Sequence, residues 1–351
     1  LRPLPTKFVL AKSLWLSNNL LVKTIKIIKS VLDFRHAFFY VSISNLTPIF
    51  AYMQKKLYLC SIFYNIMAET QEKWTTEIRP KDKLLSVDFK EIWQYRDLMM
   101  LFVKRNIITQ YKQTILGPLW YVIQPMMTTV MYMVVFGGIA KISTDGLPQP
   151  LFYLAGISFW QYFADCLTKT SNTFVNNAGI FGKVYFPRLV TPLSDVISNL
   201  VRFGIQFALF LIVYLYYFIF TDANIQPNLY ALLFPILVVM LAGLALGFGI
   251  LFSSMTTKYR DLQLLLSFFV SLWMYATPVI YPLSTITNDT LRMVMQLNPL
   301  TGIVEFFKYG MLGVGNHEWW MLGYSFGFMV VLLAIGIVVF NKVQKSFMDT
   351  V

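Results

Sequence analysis

Six long apolar stretches fill most of the chain after its first third and predict the architecture of that region. They cover residues of about 119–140, 151–171, 191–219, 229–254, 262–281 and 319–340. Each is long enough for an α-helix to cross the hydrocarbon core of a bilayer, which takes about 20 residues. Because backbone polar groups must be satisfied inside a bilayer, helices are expected throughout. The pattern predicts an all-α integral membrane protein with six transmembrane helices.

An amphipathic segment, residues 87–116, precedes the first apolar stretch and ends at the break Gly117-Pro118. At helical spacing one face carries Ile92, Tyr95, Met99, Phe102 and Val103. The opposite face carries Lys90, Gln94, Asp97, Lys104 and Arg105, whereas Arg96 and Leu101 fit this division poorly. A helix of this kind directly before a membrane span predicts an interface helix on the membrane surface. An ordinary anchoring helix is equally compatible with the pattern.

Basic residues are concentrated in alternate connections between the apolar stretches. These connections and flanks carry Lys104, Arg105, Lys112, Lys183, Arg188, Lys258, Arg260, Lys342 and Lys345. The other connections mix both signs of charge. Because basic loops stay in the cytoplasm, the pattern places both termini there, in agreement with six spans. The transmembrane domain is assigned to residues 117–345.

The connection between the fifth and sixth stretches, residues 277–313, is unusual for a loop. Pro278, Pro282 and Pro299 divide it into two short apolar helices, each too short to cross a membrane. Paired short helices of this kind predict a re-entrant hairpin on the extracytoplasmic side, because irregular backbone at membrane depth must be buried in protein. A plain extracytoplasmic loop is the alternative.

The first 66 residues fit the remainder of the chain poorly. They hold nine Lys or Arg residues against one acid, within a net charge of +12 for the whole chain. Residues 67–86 then begin with Met67 and are polar, as expected of a cytosolic amino terminus. We expect residues 1–66 to be an over-extended start or a disordered basic segment, and translation to begin at Met67. Because the basic excess lies there and in the loops, nucleic-acid binding is disfavoured.

Catalytic and metal-binding motifs are missing from the sequence. The chain has two cysteines and two histidines, which give no disulfide framework and no metal-ligand spacing. The segment Gly179–Val184 resembles a phosphate loop, but it lacks the leading glycine and the Ser or Thr after Lys183. The sequence therefore predicts no catalytic residues, no metal and no bound cofactor, and any ATP would bind to another chain.

Aromatic residues are dense in the first two spans, and four of them are candidates for a translocation path: Tyr132, Tyr153, Trp160 and Tyr162. Ring faces can slide along sugar rings, although an interfacial belt and ordinary packing explain the same density. Asp165 is a further candidate, since ionisable residues inside spans often mark a transport pathway. It could instead pair with a basic residue or lie near the end of a span.

Several motifs together resemble one family. They are YKQTILGPLWYVIQP at 111–125, LFYLAGISFWQYF at 151–163, GKVYFPRLVTPLSDVI at 182–197, TPVIYP at 277–282 and LNPLTGIVEFFKYGML at 297–312. Over residues 85–345 the chain is similar to the permeases of ABC-2-type exporters for lipid-linked polysaccharides such as O-antigen, capsule and teichoic acid. The resemblance implies a bacterial inner-membrane exporter with two permeases and two separate ATPase subunits, which use the ATP.

In that family the lead-in helix and the first cytoplasmic loop contact the ATPases. The resemblance therefore implies a set of ATPase-coupling residues, and here these are Arg96, Lys104, Arg105, Lys183, Phe186, Pro187 and Arg188. Three other classes remain open. An ABC-2 permease for a drug or another small amphiphile is the main alternative, followed by a membrane-embedded glycosyl- or phosphotransferase and a structural scaffold.

Overall fold

The computed structural model describes residues 89–112, 117–221, 225–257, 259 and 261–350. The main helices α1 to α11 are, in order, Phe89–Gln94, Arg96–Tyr111, Trp120–Tyr132, Gln149–Ser171, Thr173–Phe181, Val190–Phe220, Phe234–Thr256, Leu262–Tyr275, Asp289–Gln296, Pro299–Leu312 and Trp319–Thr350. Shorter helical turns adjoin them at Gly117–Leu119, Met133–Ile139, Leu229–Leu233 and Leu283–Thr285. The all-α prediction is confirmed for these residues, while the predictions for residues 1–66 and 67–86 lie outside them.

The described part of the predicted amphipathic segment, residues 89–112, is helical, with a break at Tyr95 between α1 and α2. Phe102 and Val103 of its apolar face are buried against the bundle, and Lys104 and Arg105 of the other face are exposed. The exposed face is not purely polar, because Phe89, Trp93, Met100, Leu101 and Ile108 also lie on it. The predicted division of the two faces is therefore right for the buried side and incomplete for the exposed side.

Four helical segments of the described chain are long and apolar enough to cross a membrane: Gly117–Ile139, Val190–Phe220, Leu229–Thr256 and Trp319–Gln344. Two of the six predicted spans are not among them. Helix α4 has 23 residues, which is long enough, but Gln161, Asp165 and Lys169 make it more polar than the other four. Helix α8 has only 14 residues and is too short by itself.

Helix α8 ends early because its sequence and its neighbours both stop it. Thr277 precedes Pro278, and a residue before proline is disfavoured in helical conformation. The Asn298 side chain then donates to the Ala276 carbonyl and to the Thr277 hydroxyl, each at 2.9 Å. Its oxygen accepts from the Trp273 indole at 3.3 Å. The apolar sequence continues to residue 281, but the helix does not.

Helix α4 is the centre of the bundle, since 16 of its 23 residues are buried. It packs against α6 and α7, and two glycines set the closest approaches around it. A Cβ on Gly156 would lie 2.6 Å from the Val279 carbonyl oxygen, and one on Gly249 of α7 would lie 2.5 Å from the Cβ of Thr170. Both distances are shorter than van der Waals contact allows. The segment at Val279 and helix α7 can approach α4 this closely only because glycine has no side chain at the two contact points.

The two short helices between residues 277 and 313 differ in burial. No residue of α9 is buried, whereas 12 of the 14 residues of α10 are. Each begins at an asparagine whose side chain caps the helix: Asn288 accepts from the Thr290 amide at 3.0 Å, and Asn298 from the Leu300 amide at 3.2 Å. Helix α10 ends at Gly313, which has the left-handed φ of 77° that favours glycine.

A buried ion pair lies inside α10. Lys308 Nζ is 3.8 Å from Glu305 Oε1, and both side chains are 2% exposed. Nζ also donates to the Pro278 carbonyl at 2.5 Å and lies 4.0 Å from the centre of the Phe152 ring. Glu305 Oε2 accepts from the Asn316 amide at 3.0 Å. The pair thus joins α10 to α4, to the chain after α8 and to the loop before α11.

Burial shifts the pKa values of Lys308 and Glu305 in opposite directions. It lowers the pKa of Lys308 to about 8, against the attraction of the Glu305 carboxylate, which raises it. Burial also raises the pKa of Glu305, and Lys308 limits that rise. Because loss of water disfavours both charged forms, each charge depends on the other to remain ionised.

Candidate functional site

The predicted coupling residues come from two segments about 80 residues apart, and the structure brings these segments together. An aromatic cluster, formed by Phe102, Phe174, Phe181, Phe186 and Phe340, joins α2, α5, the loop after α5 and α11. Phe186 lies 5.7 Å from both Phe102 and Phe181, and Phe174 stacks on Phe340 at 4.6 Å, measured between ring centres. Phe186 is therefore a core residue of this end of the bundle.

Arg188 and Pro187 hold the loop after α5 in place. The Arg188 guanidinium donates to the Gln344 carbonyl of α11 at 3.1 Å and lies 5.3 Å from the centre of the Phe181 ring. Partial burial lowers the pKa of Arg188 from its usual value. Pro187 is half-buried beside it. These contacts fix the loop against α5 and the last part of α11.

The other four coupling candidates are exposed: Arg96, Lys104, Arg105 and Lys183. Arg105 lies 4.8 Å from the centre of the Phe102 ring, so its charge is held beside the aromatic cluster. Arg96 is 3.8 Å from the Asp97 carboxylate, a contact between exposed groups. The four side chains, which we call the basic surface, come from α2 and the loop after α5, two segments that the aromatic cluster joins.

Three of the four predicted path aromatics lie in the core of the bundle. Tyr153, Trp160 and Tyr162 are at most 6% exposed, and the hydroxyl group of Tyr153 is buried without a hydrogen-bond partner in the described residues. Tyr132 is half-buried and touches the edge of Tyr153, with 6.1 Å between ring centres. Tyr132 is thus the member of the set that reaches the surface of this chain.

Asp165, the fifth path candidate, is paired with a basic residue of the bundle. It accepts from Arg202 of α6 at 2.5 Å and from Gln161 at 2.9 Å. Arg202 also donates to Gln124 of α3 at 2.9 Å, and its guanidinium lies 4.9 Å from the centre of the Tyr121 ring. The side chains of Asp165 and Arg202 are 18% and 14% exposed.

Further polar contacts lie on the same helices as this pair and on α2 and α3. Lys169 donates to Asn199 at 2.7 Å, Asn106 of α2 donates to Asp195 at 2.8 Å, and the Tyr121 hydroxyl donates to Gln110. We call this set of contacts the polar seam, formed by Asn106, Gln110, Tyr121, Gln124, Gln161, Asp165, Lys169, Asp195, Asn199 and Arg202. Its contacts join α2 to α6, α2 to α3, α4 to α6 and α6 to α3.

The polar seam is indicated by a periodic pattern in the sequence, although the site candidates were not chosen from that pattern. In α6 the residues Asp195, Asn199, Arg202 and Gln206 recur at intervals of four, three and four, which places them on one helical face. In α4 the residues Gln161, Asp165 and Lys169 recur every four. Two polar faces in neighbouring spans predict mutual contact. In the described part of the chain, no three His, Cys, Asp or Glu residues are grouped so that they could hold a metal ion.

Several known proteins are similar in sequence to this chain. The chain is 28% identical over 258 residues to the O-antigen export system permease protein RfbA of Klebsiella pneumoniae, covering 72% of this chain and 94% of that protein. It is 28% identical to RfbA of Myxococcus xanthus over 221 residues, or 62% and 82% of the two chains. Identity to the polysialic acid transport protein KpsM of Escherichia coli is 22% over 251 residues, or 70% and 93%.

Residues 97–312 match the family described as ABC-2 type transporter. This segment contains α2, the four path aromatics, Asp165 and the seam, and it confirms the family resemblance drawn from the motifs. The chain belongs to the ABC-2 type transporter family.

Proposed function

We propose that this chain is the permease subunit of an ATP-driven exporter that moves a lipid-linked polysaccharide across the bacterial cytoplasmic membrane. The observation that carries the proposal is the basic surface, which lies on two segments that the aromatic cluster holds together. A permease without a nucleotide-binding motif depends on contact with a separate ATPase, and an exposed basic surface of this kind suits that contact. The names of RfbA and KpsM support the polysaccharide as substrate. ATP is bound and hydrolysed by the partner ATPase.

The proposed topology has six spans, with α4 and α8 added to the four apolar segments. Helix α4 suits this role because it is long and central. Helix α8 is short, but the buried turn that follows it continues the chain in the direction of the membrane crossing. Helix α2 lies along the cytoplasmic surface, where its exposed Met100 and Leu101 enter the interfacial region. The pair α9–α10 forms a re-entrant hairpin on the opposite side, supported by the burial of α10. Both termini are cytoplasmic.

Cysteine labelling with a membrane-impermeant reagent tests this topology in whole cells. Single cysteines at Lys183 or Lys258 should be protected, since both positions are cytoplasmic in six spans. Cysteines at Asp145 or Asp289 should react from outside. Labelling of the position of Lys258 in intact cells would contradict the six-span arrangement.

Two permeases and two ATPases form the proposed exporter. The helices α3 and α8 support this, because each exposes apolar side chains: Met127, Val130 and Met131 on α3, and Leu264, Leu265 and Phe268 on α8. A second copy of the permease fits these faces and encloses a path between the protomers. In this proposal Tyr132 and Asp165 line the path, and the buried Tyr153, Trp160 and Tyr162 pack behind the residues that line it.

A deletion strain tests the substrate. Loss of the permease should remove the surface polysaccharide and cause lipid-linked glycan to accumulate on the cytoplasmic side. Re-expression of the wild-type chain should restore the surface polysaccharide. A Tyr132→Ala variant should restore less of it, because the variant loses a stacking contact with the glycan that is worth about 0.5–1.5 kcal/mol beyond burial. Unchanged surface glycan together with altered sensitivity to a small amphiphile would replace this proposal with drug export.

A further inference from the structure

One end of the polar seam reaches the surface of the bundle. Gln124 of α3 is exposed, Gln161 of α4 is partly exposed, and the Asp165–Arg202 pair lies between them. The carboxylate holds both Arg202 and Gln161, and Arg202 in turn holds Gln124. These four side chains form one hydrogen-bonded patch, which we call the seam opening.

The seam opening lies within segments that cross the membrane in the proposed topology, so its surroundings are restricted. A polar or charged side chain inside a span is costly against lipid, and such residues face the bundle interior, a second protein or a water-filled cavity. An exposed glutamine bonded to an arginine would therefore not face hydrocarbon. In the proposed exporter the seam opening faces the space between the two permeases, through which the glycan passes.

The hydrogen-bonding groups at the seam opening select for one kind of ligand. Gln124 accepts from Arg202 through its oxygen, which leaves its amide nitrogen to donate. Gln161 donates to Asp165 through its nitrogen, which leaves its oxygen to accept. The Arg202 Nε is buried with no hydrogen-bond partner in the described chain. The remaining donor of Gln124 and the remaining acceptor of Gln161 belong to the same hydrogen-bonded patch, and together they match a hydroxyl group, which can both donate and accept.

The charges at the seam opening cancel each other. Arg202 and Asp165 are joined at 2.5 Å, so the guanidinium is already neutralised by a carboxylate. A diphosphate group would need an uncompensated cation, whereas a sugar hydroxyl would not. We propose that Gln124, Gln161 and the Asp165–Arg202 pair form a hydrogen-bonding subsite for uncharged sugar units of the exported glycan. This inference rests on the proposed function.

The test uses the assembled permease–ATPase exporter in lipid vesicles. Its ATPase activity is measured against lipid-linked glycan purified from the deletion strain. In the double variant Gln124→Ala/Gln161→Ala, the glycan concentration giving half-maximal stimulation should rise about tenfold, as expected for the loss of one or two hydrogen bonds. The maximal stimulated rate should stay within about twofold, because the residues bind sugar and perform no chemistry.

Two competitors identify the chemistry of the subsite. The glycan released from its lipid carries no diphosphate, and it should compete with the lipid-linked glycan in the wild type and about tenfold less well in the double variant. An alkyl diphosphate carries no sugar, and its competition should be the same in both. If the double variant instead weakens the alkyl diphosphate and spares the free glycan, the subsite binds anions and the proposal is wrong.

A control variant separates local packing from sugar binding. Thr128→Ala changes α3 one turn from Gln124, where the hydroxyl donates only to the Gln124 main-chain carbonyl at 2.9 Å. Its half-maximal glycan concentration should equal that of the wild type. If the double variant also equals the wild type, the subsite is refuted while the exporter stands. If the wild type shows no stimulation by the glycan, the proposed function itself fails and the subsite fails with it.

Discussion

Replacing Lys308 with methionine is expected to lower the free energy of unfolding by about 3–5 kcal/mol, the cost of leaving one charge of a buried pair without its partner. Lys308→Met keeps most of the volume of the side chain but removes the ammonium group. Glu305 then remains buried at 2% exposure with no cation beside it. Thermal unfolding of the purified permease in detergent measures the loss as a lower Tm.

The double variant Lys308→Met/Glu305→Gln is the control for this prediction. Glutamine keeps an oxygen to accept from the Asn316 amide and removes the unpaired charge. Most of the lost stability should therefore return, since neutral replacement of a buried pair is often nearly without cost. A double variant as unstable as Lys308→Met alone would show that the Pro278 hydrogen bond, rather than the charge pair, holds α10.

Reversing the charge of three exposed coupling residues should separate the permease from its ATPase. The variant Lys104→Glu/Arg105→Glu/Lys183→Glu changes side chains that lie at the surface and make few contacts in the bundle. Like charges brought together in an interface cost several kcal/mol, so the Kd for the ATPase should rise about 100-fold or more. Export of the glycan should stop. Co-purification measures how much ATPase stays bound to the variant. The mass of the wild-type complex is expected to correspond to two copies of each subunit.

The control reverses the charge of Lys141, which is exposed at the opposite end of the first span. Lys141→Glu should bind the ATPase as tightly as the wild type does. Binding of the wild type should also weaken as salt is added, because exposed charges are screened. If the triple variant keeps its ATPase and its export, the basic surface has no part in coupling.

Periodicity along the chain predicted most of the framework. The buried side of α2 was evident from Phe102 and Val103, and the short helices α9 and α10 were evident from the prolines around them. These features depend on local spacing, which a sequence displays directly. The motif at 182–197 also led to Phe186 and Arg188, although only the structure shows that Phe186 packs on Phe102 of α2 and that Arg188 bonds to Gln344 of α11.

Other features depend on contacts between distant residues and could not be read from spacing. Pro278 is one reason why helix α8 stops at Tyr275, and the sequence displays it. The other reason is that Asn298, more than 20 residues later, bonds to the chain after the helix, and spacing does not reveal this contact. The burial of Glu305 and Lys308 was equally hidden, since a charged pair in a connecting segment looks like an exposed one. Tyr153 and Tyr162 were chosen for their density in the spans, and their burial follows from the central position of α4.

The shortness of α8 has a consequence for the bilayer around it. Fourteen residues at 1.5 Å each span about 21 Å, against a hydrocarbon thickness of about 30 Å. Lipid beside the exposed Leu264 and Phe268 would have to thin, and each ångström of such hydrophobic mismatch costs a fraction of a kcal/mol. A second permease covering that face removes the strain on the lipid. The membrane itself would then favour the pairing of two permeases, independently of any direct attraction between their side chains.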